Sequence, residues 1–216
     1  MKFSEWEPIY LEICSDMGYD PLYDDMSARV LLAVTQNSDL RDGIEPIGPS
    51  VTVLGSSSGL EEDIRTKGTE GTVIAAGSAV GRAVAAGVRP DIVVTDLDGD
   101  IEPQIEACNA GATAFIHAHG DNADLVGRYA PLFRGPAVIT TQGKPFGILM
   151  NFGGFTDGDR AVCIAREFGA ERIRLLGFDF EHPYPKEGCD PAVKKRKLAW
   201  ARRIIFGGPS GGSDIQ

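Results

Sequence analysis

Six short apolar runs restrict what this chain can fold into: VTVLG (51–55), TVIAAG (72–77), DIVVTD (91–96), TAFIH (113–117), AVIT (137–140) and RIRLLG (172–177). Runs of four to six residues without strict polar alternation suit strands covered on both faces. The intervening stretches 58–65, 78–87, 102–110, 122–133 and 157–168 carry helical patterns. Alternation of this kind predicts an α/β fold, a largely parallel sheet of about six strands with helices on both faces. Ligands of such sheets bind outside the carboxyl ends of the strands, so the residues that end each run deserve the closest reading.

Two amphipathic helices are expected ahead of the sheet: Trp6, Ile9, Tyr10, Ile13 and Met17 recur at helical spacing, as do Met26, Val30, Ala33 and Val34 within 24–40. Pro46 and Pro49 break the helical pattern, which divides the chain into an N-terminal helical segment (1–47) and a main α/β domain (48–206). Asp190 and Pro191 suit the start of a last helix, and 207–216 is too poor in apolar residues to order itself, so a flexible tail is expected. The formal net charge of -10 disfavours nucleic acid. No apolar run has spanning length and no signal-peptide pattern opens the sequence, so a cytoplasmic protein off the membrane is expected. Cys14, Cys108, Cys163 and Cys189 form no CxxC pair and read as reduced thiols.

Asp96, Asp98 and Asp100 follow the apolar IVV directly. If the chain stays extended, their alternate spacing points three carboxylates to one side. Such crowding calls for a hard, oxygen-seeking cation, and magnesium is the natural candidate. An acidic surface turn bent at Gly99 is the competing reading. A second constellation is HAHGDN: His117 ends a run, Gly120 allows a sharp turn, and His119, Asp121 and Asn122 either face a ligand or cap the next helix. HxH spacing alone is weak for zinc, since no third nitrogen or sulfur ligand is evident.

Gly55, Ser56, Ser57 and Ser58 follow the first run, and such small residues let backbone N–H groups approach an anion; Ser58 with Glu61 also fits a capping box. Thr140, Thr141 and Gln142 bring hydroxyls and an amide to another run's end, suited to hydrogen-bonding a heterocycle or simply to a polar loop. Asp157 and Asp159 stand at a helix start, where carboxylates favour the helix dipole without any ligand. The basic run Lys194, Lys195, Arg196 and Lys197, followed by Arg202 and Arg203, reads as a solvated face, with Lys197 as the candidate for a phosphate-facing lysine.

Together, AAGSAVGRAVAAGVRPDIVVTDLDGD (75–100) and GFTDGDRAVCIAREFGAERIRLLGFD (154–179) resemble the thiamine pyrophosphokinase superfamily. The forms VTDLDGD and HAHGDN, with the helical N-terminal segment, are more similar to the archaeal 6-hydroxymethylpterin diphosphokinase family, the MptE-like group, over residues 48–206. The resemblance implies a thiamine pyrophosphokinase-like catalytic domain. It also implies magnesium-dependent transfer of diphosphate from ATP to a small hydroxymethyl heterocycle, 6-hydroxymethyl-7,8-dihydropterin, with release of AMP. Asp96, Asp98 and Asp121 are the implied catalytic residues, with Asp100 added to them as metal ligands. Gly55, Ser56, Ser57, Ser58, His119, Asn122 and Lys197 are then expected at the nucleotide, and Thr140, Thr141, Gln142, Asp157 and Asp159 at the acceptor. A homodimer is compatible with this reading. Two departures are visible: Ser57 and Ser58 replace a Gly-Pro turn, and Gly77 stands where relatives carry an aspartate. HAHGDN and FTDGDRA compete for the role of second acidic motif, and HAHGDN is assigned the metal. The open alternatives are a thiamine pyrophosphokinase, a nucleotide-sugar transferase-like protein, since similar domains form part of much longer sugar-transferring proteins of bacterial motility, and a non-catalytic nucleotide-binding module.

Overall fold

The computed structural model describes residues 1–36, 38–182, 190–207 and 212–216. The chain runs α1 (Phe3–Met17), α2 (Pro21–Val34), β1 (Asp39–Leu40), β2 (Ser50–Leu54), α3 (Leu60–Lys67), β3 (Thr72–Ala76), α4 (Ala79–Ala85) and β4 (Ile92–Thr95). It continues through α5 (Glu102–Asn109), β5 (Thr113–Ala118), α6 (Ala123–Tyr129) with a 3-10 turn at Ala130–Leu132, β6 (Pro136–Thr141), α7 (Asp157–Glu167), β7 (Arg172–Leu176) and α8 (Pro191–Gly207). All six apolar runs are strands. The described residues add a seventh, β1, whose two residues are too few to leave a hydrophobic signature.

The sheet order is β1-β6-β5-β4-β3-β2-β7, and every pairing is parallel. Alternate residues of the strands feed two cores. Val51, Val53, Ile74, Val94, Phe115 and Val138 pack beneath Ala161, Val162, Ile164 and Ala165 of α7. On the other face, Leu54, Val73, Ala75 and Val93 meet α3 and α4, while Ile116 and Ile139 meet Ala28 and Leu31 of α2. The direction of strand addition reverses at β2, because β7 returns to its free side. A crevice therefore opens between the ends of β2 and β7, where Gly55 and Gly177 meet: a Cβ on Gly55 would lie 2.7 Å from the Gly177 carbonyl oxygen.

The N-terminal helices are built into this body. Trp6, Tyr10, Ile13 and Cys14 of α1 pack with Cys163 of α7 and Ile204 of α8, and the Trp6 indole N–H donates to the Gln142 carbonyl at 3.0 Å. The helix α2 begins earlier than its apolar spacing suggests, because Asp20 accepts the Leu22 N–H and Pro21 takes the first turn. The basic run on α8 is only partly a solvated face: Arg196 pairs with Asp16, and Arg203 with Glu12, tying α8 to α1. The expected flexible tail is also corrected for the residues described. Asp214 pairs with Arg166, and the Asp214 carbonyl and Gln216 N–H bond to Ile173 of β7, so few apolar residues suffice once the backbone pairs with a strand edge. Cys14, Cys108 and Cys163 are buried free thiols, and Cys189 lies outside the described residues.

Candidate active site

A cavity of about 770 Å³ opens over the carboxyl ends of the strands, roofed by α1, the α1–α2 turn and α8. Asp96 and Asp98 reach it from the end of β4, but the chain does not stay extended there. Leu97 adopts φ 67° and Gly99 φ 74°, so the three aspartates fan out, and Asp100 is not among the residues lining the cavity. A buried leucine in the left-handed region costs on the order of 1–3 kcal/mol and must be held by its surroundings. The Leu97 N–H donates to Thr95 Oγ1 at 2.8 Å, Gln104 Nε2 to the Asp98 and Asp100 carbonyls at 3.2 and 2.8 Å, and Asn122 Nδ2 to the Asp96 carbonyl at 2.9 Å.

Asn122 is therefore a brace between β4 and β5. Its side chain also bonds the His117 carbonyl and accepts the His119 N–H, so it neither caps α6 nor lines the cavity. His119 does line it, between two carboxylates: Nδ1 lies 3.0 Å from Asp121 and Nε2 3.3 Å from Asp96. Burial works against its charge, but these two partners outweigh burial and push its pKa up to about 9. Asp96, although buried, is held well below the usual carboxylate range by the hydrogen bond and charge of His119, helped by Arg160. Asp121 is 91% exposed at its side chain and touches the cavity rim.

The two aspartates of α7 have separate roles. Asp159 forms a reciprocal cap with Thr156 and accepts the Phe155 and Thr156 N–H groups at 2.6 and 2.8 Å. It is fully buried and away from the cavity, which corrects its expected place at the acceptor. Asp157 instead faces the cavity beside Asp96, whose N–H points at its Oδ2 across 3.4 Å. Burial, then the charges of Asp96 and Asp98, push the Asp157 carboxyl well up, against the pull of Arg160. The departure at Gly77 follows from the same place: a Cβ there would lie 2.8 Å from Asp157 Oδ2, so Asp157 occupies the space a strand-end aspartate would need.

Behind Asp157 runs a buried chain of polar groups. Arg160 Nη1 donates to Asp157 at 2.8 Å, and Nη2 to Gln142 Oε1 at 3.1 Å. Gln142 Oε1 also meets His117 Nε2 at 2.8 Å, and His117 Nδ1 meets Thr140 Oγ1 at 2.9 Å. An amide oxygen only accepts, so His117 carries its proton on Nε2. Burial and the Arg160 charge depress its pKa, which keeps it neutral. Thr140 and Thr141 are thus strand residues inside the wall, and only Gln142 of the three lines the cavity.

Gly55, Ser56, Ser57 and Lys197 line the cavity, whereas Ser58 does not. The capping box expected of Ser58 and Glu61 is absent: α3 starts at Leu60 without a side-chain cap, and Glu61 pairs with Arg82. Several lining residues gave no polar motif to notice: Tyr10, Tyr19, Tyr23, Asp24, Phe155, Phe178 and Phe180. Asp24 accepts the Gly120 N–H at 2.6 Å and the Tyr10 hydroxyl, fixing the turn after β5 from the N-terminal helices. Phe178 directly follows a strand-ending glycine, a position at which ligand contact could have been anticipated.

Asp96, Asp98 and Asp157 are the carboxylates the fold brings together. Among the described residues, no group of three or more His, Cys, Asp or Glu is placed to hold a metal ion by itself. The arrangement suits a cation that takes one or two carboxylates and completes its shell with ligand oxygens and water.

These features define an open parallel α/β protein with an acidic cleft at its strand ends. The chain belongs to the 6-hydroxymethylpterin diphosphokinase MptE-like family, whose model matches residues 37–184. Three similar proteins named 6-hydroxymethyl-7,8-dihydropterin pyrophosphokinase come from Pyrococcus furiosus, Methanothermobacter thermautotrophicus and Methanocaldococcus jannaschii, at 42%, 40% and 32% identity. Each comparison covers 95% of this chain and 93–95% of the relative. A MAf glycosyltransferase from Magnetospirillum magneticum shares the fold, with a TM-score of 0.57 and 16% identity over 88% of this chain; the chain spans about a third of that protein (35%). No helix among the described residues is long and apolar enough to cross a membrane.

Proposed function

We propose that this chain is a cytoplasmic enzyme that transfers diphosphate from ATP to 6-hydroxymethyl-7,8-dihydropterin. The observation that carries the reading is the convergence of Asp96, Asp98 and Asp157 at the strand ends, in a chain of this family. The hydroxymethyl oxygen bonds to the β-phosphorus, the bond from that phosphorus to the α–β bridging oxygen breaks, AMP leaves, and the hydroxyl proton passes to solvent.

Magnesium would take one or two of the carboxylates of Asp96, Asp98 and Asp157 and complete its shell with phosphate oxygens and water, in place of the Asp96, Asp98, Asp100 and Asp121 set expected from sequence. When bound, magnesium neutralises charge on the triphosphate and on the leaving AMP. Arg160 keeps Asp157 aimed at the cavity. The turns Gly55–Ser57 and Gly77–Ser78 lie beside the carboxylates, where small residues allow a phosphate chain to approach the backbone.

Incubation with ATP, magnesium and the pterin should yield AMP and pterin diphosphate in equal amounts. Excess EDTA should stop the reaction, and added magnesium should restore it. Formation of ADP alone, or no turnover, would overturn the proposal.

A further inference from the structure

A diphosphokinase must hold two flat heterocycles, the donor's base and the acceptor, on either side of the reacting phosphates. In the sheet order the ends of β7 and β6 lie on opposite sides of β4, and aromatic residues that line the cavity follow each: Phe178 after β7, and Phe155, whose neighbour Gly154 bonds Gln142, after β6. On one side, Phe178 lies against Gly55 and Gly158 at the β2–β7 crevice, with Phe180 5.8 Å away between ring centroids. On the other, Tyr19 of the α1–α2 turn and Phe155 ahead of α7 form a wall with centroids 6.3 Å apart. Lys197 Nζ stands 5.9 Å and 5.8 Å from the two ring centroids.

We propose that the Tyr19–Phe155 wall with Lys197 is the acceptor subsite, and that Phe178 marks the side of the donor's base. This inference rests on the proposed function. Two features of the site favour this assignment over its reverse. Of the glycine and serine turns that suit a phosphate chain, Gly55–Ser57 stands against Phe178 and Gly77–Ser78 against Asp157, at the ends of β2 and β3, which leaves the β5–β6 side of Asp96 to the second substrate. Tyr19 and Lys197 come from the α1–α2 turn and α8, outside the strand-turn-helix units that carry those phosphate-suited turns, and only Phe155 comes from such a unit, between β6 and α7. The Tyr19 and Phe155 rings are tilted by 50° to each other, so a flat ligand stacks on one of them, the exposed Tyr19. The ligand's reacting alcohol then faces the carboxylates, with Lys197 Nζ beside the rings.

Tyr19 is 42% exposed, so Tyr19→Ala should fold normally. Stacking on a single aromatic ring commonly contributes enough that its loss raises KM about tenfold. In steady-state assays, Tyr19→Ala should raise KM for the pterin roughly tenfold and leave KM for ATP within twofold, while Phe178→Leu should do the opposite. A rise in KM for ATP alone in Tyr19→Ala, or no change in either constant, would overturn the assignment. If the wild-type chain does not turn the pterin over, the proposed function fails separately. Binding of 6-hydroxymethylpterin without ATP, followed by its fluorescence, then decides the subsite: weaker binding to Tyr19→Ala supports it, and equal or undetectable binding to both chains overturns it.

Discussion

HAHGDN at the end of β5 and TDGDR at the start of α7 offer the same chemistry in sequence, an aspartate near a strand end or helix start. The fold separates them by burial. Asp121 is almost fully exposed and meets the site through His119, whereas the Asp157 side chain is 13% exposed and lies between Asp96 and a guanidinium that is 2% exposed. A carboxylate in water has little need of a cation. One confined beside two other carboxylates gains far more from it. Surroundings, more than residue type, decide which aspartate is confined beside the other carboxylates.

This contrast can be broken most directly by turnover. Asp157→Asn and Asp96→Asn should each lower kcat by two to three orders of magnitude, equivalent to about 3–4 kcal/mol, while Asp121→Asn stays within roughly fivefold, a change of about 1 kcal/mol. Assays at saturating ATP and magnesium test this, and equal losses at Asp121 and Asp157 would erase the distinction. Next in size is stability: Arg160→Met leaves Asp157 without its buried partner and should cost about 2–3 kcal/mol in urea unfolding, below the full value for a buried pair because Asp157 opens to the cavity. Asp159→Ala removes the cap of α7 and should cost about 1–2 kcal/mol, with KM for the pterin unchanged. A selective rise in that KM would return Asp159 to the acceptor. The smallest effect is expected far from both motifs, where Asp214→Asn should lower stability by about 1 kcal/mol in the same unfolding measurement.

The strands were legible because each is a short apolar run closed by a glycine or polar residue, and the site's position followed from where those runs end. Asp96 and Asp98 were legible for the same reason. The role of Asp157 was not, since two carboxylates at a helix start look alike until one is seen to accept three hydrogen bonds and the other to face its charged neighbours. The aromatic wall was hidden for a different reason: Tyr19, Phe155 and Lys197 lie in distant parts of the sequence and meet only when α1 and α8 dock on α7. Trp6 and Tyr10 gave the helical spacing of α1, but no local pattern names the surface an amphipathic helix will cover.

The residues that lie along β7 have a practical consequence. A sheet with an unpaired outer strand invites other chains to add to it and aggregate. At one margin the risk is small, because β1 has only two residues. At the other, the Ile173 N–H and carbonyl are both occupied by the segment Asp214–Gln216. Shortening the chain before Gly212 should therefore reduce soluble yield more than it reduces the activity of the molecules that fold, a difference to consider when choosing where to end a recombinant version or attach a tag.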